Sequence, residues 1–93
     1  MRDYELTLIL KPTLVDEALS GATERVQGWI ASGGGEMVNV TPVGRKRLAY
    51  PVDHQRDGVY VLMQFRARPE TIPEVERNLR LSEDVLRYMF IRR

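Results

Sequence analysis

Gly58-Val59-Tyr60-Val61-Leu62-Met63-Gln64-Phe65-Arg66-Ala67 is apolar on both parities: Val59, Val61, Met63 and Phe65 fall on one, Tyr60 and Leu62 on the other. A strand buried on one face alternates with polar residues, whereas one apolar on both sides belongs to the middle of a sheet. Residues 59–67 are therefore expected as a central strand. Just upstream, Asp53 to Asp57 read as a polar hairpin loop closed by Gly58. Before that loop, residues 36–52 read as a long strand with an irregularity near Pro42-Val43-Gly44. Proline cannot donate to a ladder, so this strand is expected at an edge, with a bulge.

The flanks add two helices and two more strands. In residues 2–10, Tyr4, Leu6, Leu8 and Leu10 share one parity, and Asp3, Glu5 and Thr7 the other. That is the period of a half-buried strand, and Lys11-Pro12 stops it. Thr13-Leu14-Val15-Asp16 reads as a helix-start capping box. Leu19, Ala22, Val26, Trp29 and Ile30 follow at three- and four-residue spacing, one face of a helix. Gly21 and Gly28 inside it each cost about 1 kcal/mol relative to Ala, so this helix depends on tertiary packing. Gly33-Gly34-Gly35 ends it. Downstream, Thr71-Ile72-Pro73-Glu74 reads as a second capping box, and Ile72, Val75 and Leu79 make one apolar stripe. Residues 85–92 form a last strand, with Leu86, Tyr88 and Phe90 opposed to Arg87, Met89 and Ile91.

The order is β-α-β-β-α-β, read as one domain over residues 1–93. Right-handed crossovers place both helices on one face of a four-stranded antiparallel sheet. The expected fold is an α+β, ferredoxin-like sandwich with strand order 4-1-3-2. Its covered face should take Leu6, Leu8, Val61, Met63, Phe65, Tyr88 and Phe90. Its other face is expected to be open and flat. It should carry Asp3, Glu5, Thr7, Ile9, Tyr60, Leu62, Gln64, Arg66, Arg87, Met89 and Ile91.

Composition narrows the function classes. The chain has 93 residues, 43% apolar and 29% charged, enough for one modest core. It has no cysteine, which excludes disulfides and thiolate metal sites. No apolar run approaches the roughly 20 residues that span a bilayer. Met1-Arg2-Asp3-Tyr4 has no signal-peptide pattern, so a cytoplasmic location is expected. Net charge is only +1, but it is segregated: residues 1–36 balance to −3 and residues 37–93 to +4.

Catalytic chemistry finds no anchor. His54 is the only histidine and sits in the polar hairpin loop without a companion ligand. Ser20, Ser32 and Ser82 lie at or within helices, outside any nucleophile-elbow context. The glycine triplet follows a helix, whereas phosphate-cradling loops precede one. Asp3 and Glu5 share a strand face, but a flat, solvated surface does not tune carboxylates for acid-base work. No metal, cofactor or small-molecule substrate is expected, and the chain is not read as an enzyme.

The sharpest chemical feature is Gly44-Arg45-Lys46-Arg47-Leu48-Ala49-Tyr50-Pro51. Together with Arg2, Arg87, Arg92 and Arg93 on other strands, Arg45, Lys46 and Arg47 are expected to form a basic edge. Guanidinium forks match phosphate bidentately, and phosphate contacts carry most nonspecific RNA affinity. Tyr50 is a candidate for stacking on an unpaired base. The same charges also suit an edge strand that simply resists aggregation. On the open face Tyr60 is the only aromatic expected, which is poor for base stacking. Ile9, Tyr60, Leu62, Met89 and Ile91 instead make an apolar patch suited to a protein partner.

These residues carry a resemblance to the bacterial ribosomal protein S-six family of the small subunit. Met1-Arg2-Asp3-Tyr4-Glu5 is similar to that family's Arg-x-Tyr-Glu opening, and Gly44 to Pro51 to its Gly-x-Arg-x-Leu-Ala-Tyr-Pro signature. Gly58-Val59-Tyr60 matches its Gly-x-Tyr/Phe position, and Leu79-Arg80-Leu81 with Asp84-Val85-Leu86-Arg87 resembles its final strand entry. The resemblance implies a structural protein that binds the central domain of small-subunit rRNA with ribosomal protein S-eighteen as a heterodimer. It implies RNA or partner contacts at Arg2, Arg45, Arg47, Tyr50 and Arg87. Two other readings stand beside it: a ferredoxin-like ligand-binding or regulatory domain, and a homo-oligomer joined through the open face.

Overall fold

The computed structural model describes residues 1–93. Six elements follow one another: β1 (Arg2–Leu10), α1 (Asp16–Ser32), β2 (Glu36–Val52), β3 (Gln55–Ala67), α2 (Thr71–Leu81) and β4 (Val85–Arg92). All strand pairs are antiparallel, in the order β2-β3-β1-β4, which is the expected 4-1-3-2 read from the other edge. The β1–β3 ladder runs unbroken from Arg2 opposite Ala67 to Leu10 opposite Val59. β3 and β1 are thus the two inner strands, as the double-sided apolar pattern of β3 predicts.

Both helices pack on the face that carries Leu6, Leu8, Leu10, Val61, Met63 and Phe65, all buried. Ala22, Val26 and Ile30 come down from α1, and Val75 and Leu79 from α2. Tyr4 also joins this core and stacks on Phe65 with ring centroids 5.5 Å apart. Tyr88 and Phe90 lie on the same face but are half-buried, because β4 is an edge strand.

The helix starts differ from the capping boxes read in the sequence. At α1, Thr13 sits in a turn closed by Leu14 N–H donating to Lys11 C=O at 3.1 Å. Val15 is the extended flanking residue, and no side chain caps the helix. At α2, Thr71 lies within the first turn and is buried. Its hydroxyl donates to the Gly33 carbonyl at 2.8 Å, fastening the end of α1 to the start of α2. A tertiary partner has taken the hydroxyl that local capping would have used. Gly33 permits this approach, since a Cβ there would stand 2.5 Å from Thr71 Cγ2.

The hairpin is also tighter than the loop expected over residues 53–57. Asp53 and His54, at φ 48° and 65°, form a two-residue turn, and Val52 pairs with Gln55. Two successive left-handed residues match the twist of antiparallel strands, and short polar side chains tolerate that region best. β3 therefore begins at Gln55, and residues 46–58 continue past the end of β1 as a two-stranded arm.

β2 is the edge strand expected, and its ladder breaks at three places. Val38 and Val43 are the unpaired residues at two of them, and both are exposed. The third break, in the arm, organises the functional surface.

Candidate nucleic-acid and protein interface

Arg47 pairs with Asp57 and Val52 with Gln55, so four residues of β2, Leu48 to Pro51, oppose Arg56 alone. Pro51 has no N–H to continue a ladder, and surplus backbone in one strand bends it and re-aims its side chains. Leu48 is thereby buried over Gly58, where an added Cβ would collide with Ile9 Cγ2 and stand 3.5 Å from Leu48 Cδ2. Two residues on, Tyr50 reaches across the open face to β4. Its phenol oxygen accepts a hydrogen bond from Arg87, whose guanidinium lies 5.5 Å from the ring centroid. β2 and β4 are the opposite edges of the sheet, so this contact bridges its full width.

The open face is consequently not flat, and Tyr60 is not its only aromatic. Tyr50 stands as a wall between two hollows. The inner one, about 480 Å³, is floored by the sheet and lined mainly by Ile9, Leu48, Tyr60 and Met89 with Thr7 and Arg87. The outer one, about 180 Å³, is lined by Arg47, Tyr50, Pro51 and Arg56 with Leu48 and Ala49.

The expected basic residues fall into two groups. Lys46 lies opposite Gly58 on the open-face parity, its Nζ 5.8 Å from the Tyr60 ring centroid. Arg45 points to the other side and donates to the Pro12 carbonyl at 2.7 Å. Arg47 lies across from Asp57 yet forms no ion pair; the four ion pairs of the molecule use Arg25, Arg66, Arg80 and Arg93. Lys46, Arg47, Tyr50 and Arg87 gather at the arm, and Arg45 is turned to its other side. Arg2, opposite Ala67, and Arg92, opposite Tyr4, sit at the other end of the sheet. Five strand steps separate Arg87 from Arg92, roughly 17 Å, so one continuous basic edge does not form. Arg56 belongs to the arm cluster and is missed by a reading that places it in a solvated loop. The signal available was its place opposite the Leu-Ala-Tyr-Pro run.

The apolar candidates do come together. Ile9 pairs with Tyr60, Thr7 lies between Leu62 and Met89, and Glu5 faces Ile91. Met89 is 55% exposed and Ile91 42%, leaving an uncovered apolar surface beside the inner hollow. Asp3 pairs with Arg66 at 3.3 Å and Glu5 with Arg93, so both carboxylates are held as charge partners. No group of three His, Cys, Asp or Glu side chains converges as a metal site. On the helix side, Tyr88 donates to Glu76 Oε2 at 3.2 Å. Burial of the phenol, then the hydrogen bond and charge of Glu76, raise its pKa above 10, against a smaller opposing effect of Arg80.

Such a fold, with an apolar sheet face beside a cationic arm, defines a binding scaffold. Its relatives give the class a family. A family model described as Ribosomal protein S6 matches residues 3–92. The chain is 42% identical over 93 residues to small ribosomal subunit protein bS6 of Syntrophomonas wolfei, covering 99% of this chain and 96% of the relative. It is 42% identical over 91 residues to the bS6 of Clostridium novyi, covering 98% and 96%. The crystal structure of 30S ribosomal protein S6 from Thermotoga maritima superposes with a TM-score of 0.93 at 27% identity, over 99% of this chain and 87% of that one. The C-terminal domain of MgtC from Mycobacterium tuberculosis, at TM-score 0.67 and 9% identity, shares the fold alone.

The chain belongs to the ribosomal protein S6 family. It is a structural, non-catalytic protein of the small ribosomal subunit, associated with ribosomal RNA and proteins in the cytoplasm.

Proposed function

We propose that this protein binds the central domain of small-subunit rRNA together with ribosomal protein S18, as a heterodimer, during subunit assembly. The apolar open face, with Ile9, Tyr60, Leu62, Met89 and Ile91, takes the protein partner. The arm, with Arg45, Lys46, Arg47, Tyr50 and Arg87, takes RNA, and Arg2 and Arg92 provide a second, distant basic contact. The observation that carries this reading is Tyr50, which stands between an apolar hollow and a cationic one. A small-molecule site fits less well, because the inner hollow is apolar on eight of its ten lining residues and its one guanidinium already bonds Tyr50.

Binding of an rRNA central-domain fragment, with and without S18 and across a range of salt, tests the reading. Each phosphate contact contributes about −0.9 to the slope of log K against log salt. Replacing Arg45, Lys46 and Arg47 together by Gln should weaken binding and flatten the slope by about two, since Arg45 is engaged with Pro12. A triple variant whose curves overlay the parent would remove the arm from the RNA surface. Met89→Glu should abolish association with S18 while leaving thermal unfolding nearly unchanged.

A further inference from the structure

We propose that the outer hollow at the arm tip is a capture site for a single unpaired RNA nucleotide, with the base on Tyr50 and the phosphate between Arg47 and Arg56. This deepens the RNA-binding reading and rests on it, but assigns a particular pocket, a ligand class and a residue, Arg56, outside the basic run.

Three observations carry the assignment. Tyr50 is 58% exposed although its phenol is tied to Arg87, so the ring is held in place while much of its surface stays open. A fixed, exposed aromatic loses little conformational freedom when a base stacks on it, and every base offers a π-face. The Arg87 guanidinium against the ring further restricts its motion and supplies positive charge.

The second observation is charge. Arg47 and Arg56 both line the hollow, and neither side chain makes a hydrogen bond or ion pair within the protein. No acidic side chain lines it. Two uncommitted forks beside an aromatic surface suit a phosphate and its base, since Arg presents planar donors in phosphate-matching geometry.

The third is size. At about 180 Å³ the hollow lies below the range of roughly 300–1,000 Å³ typical of small-molecule sites, so it suits one planar group with its tail outside. The four-against-one bulge explains why it exists: Arg56, the lone residue opposite, is left beside the displaced Tyr50.

The test uses the full chain with S18 and the rRNA central-domain fragment. Tyr50→Leu should weaken RNA binding by roughly 5- to 150-fold, the range for loss of one stacked base. Tyr50→Phe should recover most of that loss, because the ring is what stacks. Arg56→Gln should flatten the salt slope by about 0.7, the single-strand value for one phosphate. Ultraviolet crosslinking of the parent complex should join Tyr50 to a nucleotide. If Tyr50→Leu and Arg56→Gln bind like the parent, with the parent's slope, while the Arg45-Lys46-Arg47 variant is weakened, the pocket assignment is wrong and the broader reading stands. Crosslinking of Tyr50 to S18 instead of RNA also overturns the assignment. If the parent complex shows no salt-dependent RNA binding, both fall together.

Discussion

β3 passes through two environments. Over residues 59–67 it is sandwiched between β2 and β1, and Val61, Met63, Phe65 and Ala67 are buried under the helices. Over residues 55–58 it has left β1 behind and is half of an arm whose partner strand carries three consecutive cations and a four-residue bulge. The first region is held by apolar area removed from water, which adds up over many small contacts. The second is held by a few placed contacts: Arg45 on Pro12, Arg87 on Tyr50, Leu48 over Gly58. The core decides whether the chain folds, and the arm decides what the folded chain presents.

That division can be broken from either side. The largest expected effect is in the core. Phe65, 1% exposed and stacked on Tyr4, should cost about 3–5 kcal/mol when replaced by Ala, read as a lower urea midpoint with unchanged m-value. Gly58→Ala tests the seam between the regions. Its Cβ would collide with Ile9 and crowd Leu48, so about 1–3 kcal/mol should be lost, with weakened amide protection in residues 46–58. The Arg45-Lys46-Arg47 variant should change unfolding free energy by no more than about 1 kcal/mol, because exposed side chains contribute little. A loss as large as that of Phe65→Ala would show that the arm is part of the folding core.

The smallest effect concerns pH. The folded pKa of Tyr88 is raised, so the fold favours the neutral phenol. The associated stability is fully present below the unfolded value near 10 and is lost as pH climbs through the folded one. Tyr88→Phe should therefore lose less stability than the parent between pH 8 and about pH 11 in denaturant titrations. A steeper alkaline loss in the variant would contradict the raised value.

The elements were legible because they rest on period, and the strand order because right-handed crossovers leave few ways to connect them. Leu6 and Leu8 alternate with Glu5 and Thr7 whatever surrounds them, and Val75 and Leu79 recur at helical spacing. Residues whose local and long-range options compete were not legible. Thr71 looks like a cap in isolation and becomes a tie to Gly33 because α1 ends beside it. Asp53 and His54 form the whole turn, which pulls Gln55 and Arg56 into a strand. The site was half legible. Charge and aromatic content in residues 45–50 marked the arm, but the sequence does not display that Tyr50 crosses the sheet or that Arg2 and Arg92 lie at its far end. The first depends on a register shift in the arm, which no periodicity records, and the second on strand direction, since β1 begins and β4 ends at the side of the sheet away from the arm.

The pairing of β1 has a consequence for how the molecule is made. This strand precedes all the others in the chain, and its partners are Val59–Ala67 on one side and Val85–Arg92 on the other. While the chain grows, Leu6 and Leu8 wait for partners more than fifty residues away, and the β4 side closes only once residues 85–92 have been made. Helices can form early from local contacts, but such long-range closures carry the entropic cost of ordering the chain between. The sheet is thus completed only when β4 docks, and a chain in which β4 has not yet emerged would expose the side of β1 that β4 covers.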